Sequence, residues 1–266
     1  MKKLIIFLSI IIVSMFSFFI FKKNQPEVKK DYWDEVKNQI KYFNTSNLER
    51  YKEYKKINPN MKINQIVLDV NIGLDKPFYT NVRSATNLNT SYILVNKYNY
   101  LEEDYIPNNL TNINGIKLVD YAGKSFIDMI NNAKDENLTI IGISGYRSYN
   151  YQNNLYNKYA QIDGIAKADT YSARAGYSEH QTGLAVDVSN NKLPYTEFEN
   201  TEEFSWMDKN AHKYGFILRY PKNKENITGY TYEAWHYRYV GVDIATYIKK
   251  HNITFDEYYA MFIEKN

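Results

Sequence analysis

The chain has 266 residues, enough for one large domain or two small ones, and 44% of them are hydrophobic, which supports a sizeable core and excludes global disorder. A formal net charge of +3, with no basic stripe interleaved with aromatics, argues against a nucleic-acid partner. The lack of cysteine excludes a disulfide framework, a thiolate zinc site, a cysteine nucleophile and a lipoprotein anchor.

From the start of the chain, Lys2 and Lys3 precede an uncharged apolar run, Leu4 to Phe21, closed by Lys22 and Lys23. As a helix it would span about 27 Å, close to the hydrocarbon thickness of a bilayer. No small-residue cleavage site stands near its end, so the expectation is an uncleaved membrane anchor with the body of the protein outside; secretion after signal cleavage is the alternative. The expected organisation is an anchor or signal segment over 1–23, a linker and amphipathic helical region over 24–62, and a catalytic domain over 63–266.

From Tyr32 to about Tyr54 the apolar spacing (Trp33, Val36, Ile40, Phe43, Leu48, Tyr51) predicts one amphipathic helical stretch, broken by Asn58-Pro59-Asn60. Ile63–Leu74 alternates like a strand, and Thr90–Tyr98 reads as another. Lys124–Asn137 reads as a helix capped by Ser125, and Leu138–Ser144 as a buried strand. A helix over Tyr149–Ile162 and a short strand over Gly183–Val188 follow. Residues 200–215 read as a helix with Asn200 as cap, Glu203 in a capping box and Gly215 as terminator. The segments 216–220 and 233–240 read as strands. One or two helices end the chain, with a capping box between Thr254 and Glu257. Helices and strands mix without a βαβ period, so the fold class is α+β with a largely antiparallel sheet flanked by helices.

Four histidines are present. His212 and His251 sit at predicted helix C-termini, where the dipole favours them. That leaves His180 and His236. In Ser178-Glu-His-Gln-Thr-Gly-Leu-Ala-Val-Asp187 a histidine and an aspartate are seven positions apart; in Tyr232-Glu-Ala-Trp-His236 a glutamate precedes a histidine by three. Catalytic zinc takes three protein ligands from His, Asp and Glu and leaves a position for solvent, a requirement that His180, Asp187 and His236 would meet. Glu233 would then lie near the metal, free to accept a proton from water and return it to a leaving amine. Each half alone also reads as chance or as plain core.

Together the two halves resemble the zinc D-alanyl-D-alanine carboxypeptidases of the VanY type: the first matches their Ser-x-His-x-x-Gly-x-Ala-x-Asp signature and the second their Glu-x-Trp-His block. Residues 144–156, with Tyr146-Arg147-Ser148, 215–230 and 94–110 also look like stretches of this family. The resemblance covers roughly 64 to 250. It implies a hedgehog/DD-peptidase-type fold, Zn2+ on His180, Asp187 and His236, Glu233 as general base and then acid, and Arg147 facing the substrate. It further implies hydrogen bonds from Ser178 and Gln152 to the terminal D-alanine of a peptidoglycan stem peptide. Trp235 and Tyr232 are expected to wall the pocket, and the 27 tyrosines suit sugar or peptide surfaces as well as an AT-rich genome. The chain departs from the family at Ala175 and Ala234, where proline is expected; neither position is a ligand. Removal of D-alanine from the pentapeptide is the favoured activity. An LD-carboxypeptidase on tetrapeptides, an endopeptidase and a non-catalytic zinc-stabilised wall-binding module are the alternatives.

Overall fold

The computed structural model describes residues 31–264, so the run Leu4 to Phe21 lies outside the described residues. The chain divides into two units, Met1–Ile40 and Lys41–Asn266. In the first, helix α1 (Tyr32–Gln39) is capped by Asp31, whose side chain accepts from Trp33 N. Among the described residues, no helix is long and apolar enough to cross a membrane.

The second unit opens with a 3-10 turn (Thr45–Asn47), α2 (Leu48–Ile57) and α3 (Ile63–Asn71). Three expectations are corrected here. The stretch 32–54 is two helices, because the chain leaves the helix at Ile40 and Asn44 caps a new start. Ile63–Asn71 is a helix rather than a strand: Ile66, Val67 and Val70 recur at helical spacing and are fully buried. Thr90–Tyr98 is buried only from Ile93 onward and forms no strand, since Arg238 reaches into it and donates to the carbonyls of Ser91 and Ile93.

Two short strands, β1 (Arg83–Ser84) and β2 (Asn99–Tyr100), pair in parallel. The hairpin β3 (Leu110–Ile113) and β4 (Ile116–Val119) runs into α4 (Asp120–Asp135). This helix starts before Ser125, which is therefore interior and not its cap. Next come β5 (Ile141–Ser144), α5 (Tyr149–Asp163) and α6 (Ile165–Tyr171). The short strand β6 (Ala185–Ser189) leads to α7 (Glu202–Asn210), β7 (Phe216–Leu218), α8 (Glu225–Thr228) and β8 (His236–Tyr239). Two helices close the chain, α9 (Val242–His251) and α10 (Phe255–Phe262), the latter with the expected Thr254–Glu257 capping box. The cap of α7 is Thr201, not Asn200, and Glu203 bonds Asn190 and the Thr139 amide instead of closing a capping box. Gly215 ends the following 3-10 turn in the left-handed region, as expected.

The principal sheet has four antiparallel strands in the order β5-β6-β8-β7. β5 lies at its edge with Ile143 exposed, so it is not the buried strand that its apolar run suggests. Successive residues of a strand face opposite sides. One side carries Val186, Val188, Tyr237 and Phe216 into a core with Phe126 and Met129 of α4 and Trp206 and Met207 of α7. Truncating one such buried aromatic typically costs about 3–5 kcal/mol. The other side carries Asp187, His236 and Arg238, and there the chemistry lies.

Candidate metal centre and cleft

Register makes the centre. In the β6–β8 pair Asp187 stands directly opposite His236, so residues 49 positions apart project side by side from one face. His180 comes from the 3-10 turn Glu179–Thr182 that feeds β6. Gly183 ends that turn at φ +68, and a Cβ there would meet Leu110 Cδ2 at 2.8 Å, so only glycine lets the chain reverse and deliver His180 over the strand. One ligand atom from each of His180, Asp187 and His236 lies within 4.8 Å of the others. The imidazoles meet edge to face at 4.9 Å, and Tyr220 stacks on His236 at the same distance.

The donors suit a metal. His180 Nδ1–H donates to the Gly145 carbonyl at 2.7 Å, which turns the Nε2 lone pair towards Asp187 Oδ2, 3.3 Å away. That buried Nε2 has no hydrogen-bond partner among the described residues. Burial, helped by Arg147, pushes His180 down to about 4, so it is a neutral ligand at pH 7. Burial also opposes the charged form of His236, but the bond to Asp187 and the nearby Glu179 carboxylate outweigh it and lift this residue to about 9. Asp187 is held well below the ordinary carboxylate range, because the two imidazoles more than offset its burial. Two imidazoles and an ionised carboxylate converging on the wall of a cleft form a donor set of the kind zinc takes, with the His236 Nδ1 proton displaced when the metal binds.

Glu233 stands beside this set, with Oε2 3.9 Å from His236 Nδ1. Its backbone is pinned from Glu233 N to the Tyr220 carbonyl, and its own carbonyl accepts from His236 N. Burial pushes its carboxyl up to about 7; a dication nearby would draw it back towards the ionised form. Arg147 lies across the centre, donating from Nη2 to Asp187 Oδ2 at 3.1 Å and from Nη1 to Gln152 Oε1 at 3.2 Å. Its buried Nε has no partner among the described residues. Gln152 in turn donates to the Ala173 carbonyl.

These groups line a cleft of about 720 Å³ that also includes Ser178. Every site residue expected from the sequence is therefore here: His180, Asp187, His236, Glu233, Arg147, Ser178 and Gln152. Trp235 also lines the cleft, but Tyr232 does not; its ring lies under Lys222 Nζ instead. The walls use Tyr151, Tyr159, Tyr195 and Tyr230, none foreseen, and Tyr195 meets Trp235 edge to face at 5.2 Å. Glu179 and the Gly145 carbonyl were likewise missed. Lys97, within the family-like stretch 94–110, has a place that its sequence context does not announce. Its Nζ donates to the carbonyls of Asp169 and Gly229, both at 2.6 Å, and lies 4.4 Å from the Tyr230 ring centroid, which ties together two segments that bound the cleft. His212 and His251 stand outside the ligand cluster; His251 ends α9 and stacks on Tyr247.

A family model described as VanY, D-alanyl-D-alanine carboxypeptidase, matches residues 115–242. The chain is 36% identical over 206 residues to the putative carboxypeptidase YodJ of Bacillus subtilis (strain 168), spanning 70% of this chain and 76% of the relative. It is 35% identical over 181 residues to a D-alanyl-D-alanine carboxypeptidase of Enterococcus faecium, spanning 62% of this chain and 56% of that relative. Among solved structures, the LdcB LD-carboxypeptidase matches at a TM-score of 0.63 and 36% identity, over 68% of this chain and 91% of that one. A vancomycin-resistance D,D-pentapeptidase VanY in complex with Zn(II) matches at 0.57 and 33%, over 63% and 98%.

Proposed function

The chain belongs to the VanY family of D-alanyl-D-alanine carboxypeptidases, and from that membership we infer that it is a zinc carboxypeptidase removing the C-terminal D-alanine from peptidoglycan stem peptides. The observation that carries the reading is the convergence of His180, Asp187 and His236 within 4.8 Å on the wall of an open cleft, with a buried carboxyl beside them.

In this reading His180, Asp187 and His236 hold zinc, which supplies Lewis acidity, lowering the pKa of water and polarising the scissile carbonyl. Glu233 takes the proton from the attacking water and later delivers it to the leaving amine of D-alanine. Arg147, always charged, offers its guanidinium to the carbonyl oxygen as negative charge develops there. Ser178 and Gln152 hydrogen-bond the terminal D-alanine and favour a free C-terminus. The aromatic walls exclude water and carry the upstream peptide.

Two features of the chain support an extracytoplasmic catalytic domain on an N-terminal anchor: the apolar run over Leu4 to Phe21 with flanking lysines, and a substrate that lies outside the membrane. A second reading, LD-carboxypeptidase action on the tetrapeptide, is favoured by the likeness to LdcB. Incubating the purified protein with penta- and tetrapeptide stems, with and without a chelator, and weighing the products tests both. Chelator-sensitive loss of one D-alanine from the pentapeptide is expected. No product from either peptide in the zinc-loaded protein overturns the enzymatic reading; product from the tetrapeptide alone selects the second.

A further inference from the structure

We propose that Glu179 is a positioning residue of the metal centre: by accepting a hydrogen bond from His236 Nε2–H it reserves Nδ1 as the metal-facing nitrogen. The proposal rests on the metal-centre reading above and adds to it a residue outside the ligand set.

Glu179 is fully buried in its side chain. Its two oxygens have different surroundings. Oε1 accepts from Arg219 Nε and from Arg238 Nη1, both at 2.8 Å. Oε2 accepts nothing within hydrogen-bond distance among the described residues, and His236 Nε2 is likewise buried and unpartnered. These two orphans face each other at 3.6 Å, about 0.4 Å beyond the usual limit of an N–H···O bond. On the far side of the ring, Nδ1 faces Asp187 and Glu233. An imidazole that keeps its proton on Nε2 presents a lone pair at Nδ1, and a carboxylate is the acceptor that keeps it there. The carboxylate is itself held ionised and in place. Arg219 is bound to Asp256 at 2.6 Å, Asp256 accepts from Asn96, and Arg238 is fastened to the Ser91 and Ile93 carbonyls. The two buried arginines thus have a use beyond neutralising each other's partners: they orient one carboxylate so that one oxygen remains for His236.

The geometry gives the test its sign. In Glu179→Gln the amide oxygen must stay with the two guanidinium groups, which only donate, so the amide NH2 takes the place of Oε2. It then donates to His236 Nε2 and forces the ring proton onto Nδ1, where the metal should bind. Asp256→Asn unloads the same arginine without touching His236 and serves as the structural control.

The experiment measures zinc affinity by chelator competition and the His236 tautomer by long-range proton–nitrogen correlation on the full protein labelled at histidine. Glu179→Gln should bind zinc about 10–100-fold more weakly than the wild type. Its zinc-free His236 should carry a proton on Nδ1 alone, where the zinc-free wild type keeps one on Nε2 as well, while Asp256→Asn melts earlier but keeps wild-type zinc affinity. Equal zinc affinity for Glu179→Gln and the wild type, or equal losses in the two variants, overturns the proposal. Should Glu179→Gln not fold, the zinc-loaded wild type decides: a proton on His236 Nε2 supports the assignment and a proton on Nδ1 overturns it. A wild type that takes up no zinc overturns the metal-centre reading as well, whereas failure of the Glu179 tests in a zinc-binding wild type leaves that reading standing.

Discussion

Replacing Glu233 by glutamine removes the proposed proton carrier and little else. The side chain keeps its size, so the buried site is not hollowed. The backbone bonds from Glu233 N to the Tyr220 carbonyl and from His236 N to the Glu233 carbonyl do not involve the side chain. Glu233 lies outside the His180–Asp187–His236 set, so zinc binding should survive. An amide cannot accept the water proton, and loss of a positioned general base typically costs about 10²–10⁴-fold, or about 3–5 kcal/mol of barrier. The loss should fall on kcat, with KM nearly unchanged, because in this reading the group acts on the water proton and the leaving amine during the chemical step. Stability gives an independent sign. Burial raises this carboxyl to about 7 from its ordinary 4.5, so the folded state holds a proton that the unfolded state releases between those values. The metal-free wild type therefore loses stability as pH rises through that window, and the glutamine variant does not. At a pH of about 8, above that window, the metal-free variant should melt no lower than the wild type. The assay is D-alanine release from a pentapeptide stem at saturating zinc, with bound zinc measured on the same samples. A variant within about tenfold of wild-type kcat, or one that loses its zinc together with its activity, would refute the acid–base role.

Arg147→Ala should lower kcat by about 10²–10³-fold with zinc retained, as for removal of one oxyanion donor, and an unchanged kcat would exclude that role. Lys97→Met tests the tie beside the cleft. Burial lowers the lysine to about 8 from 10.5, so the unfolded chain binds more protons between these values and wild-type stability should rise over that range by up to about 3 kcal/mol. Tyrosines begin to ionise by about pH 9.5 in both proteins, so the readout is their difference: in chemical melts from about pH 8 to about pH 9.5 the wild type should gain stability relative to the methionine variant; an equal change in both proteins would remove Lys97 as its source. Gly145→Ala drives a Cβ into the Lys117 carbonyl oxygen, so the segment whose own carbonyl holds His180 must shift. A loss of about 1–3 kcal/mol and weaker zinc binding are expected, and calorimetry with zinc titration would show it. Unchanged melting would mean that the hairpin yields without strain.

Legibility in the sequence followed the range of the forces involved. The helix over Tyr149–Asp163, the capping box at Thr254 and the terminator Gly215 were readable because each rests on contacts a few residues apart. The short apolar run over Ile63–Leu74 was misread because it satisfies both a period of two and a period near four, and burial of Ile66, Val67 and Val70 decides between them. Thr90–Tyr98 was misread because its carbonyls are taken by Arg238, some 145 residues away, and no local pattern announces such a partner. The wall residues Tyr151, Tyr159, Tyr195 and Tyr230 were lost among the 27 tyrosines in the chain, since composition cannot tell which ring faces a cleft.

The sequence by itself determined the kinds of atoms available: two imidazoles, a carboxylate, a proton carrier and a guanidinium, in short blocks whose residue types already specify their chemistry. Only the tertiary structure decided that Asp187 lies opposite His236, that His180 offers Nε2 because Gly145 occupies its Nδ1, and that Glu179 faces the far nitrogen of His236. Donor chemistry belongs to a single side chain, whereas strand register and ring orientation belong to contacts between distant segments and exist only once the chain has packed.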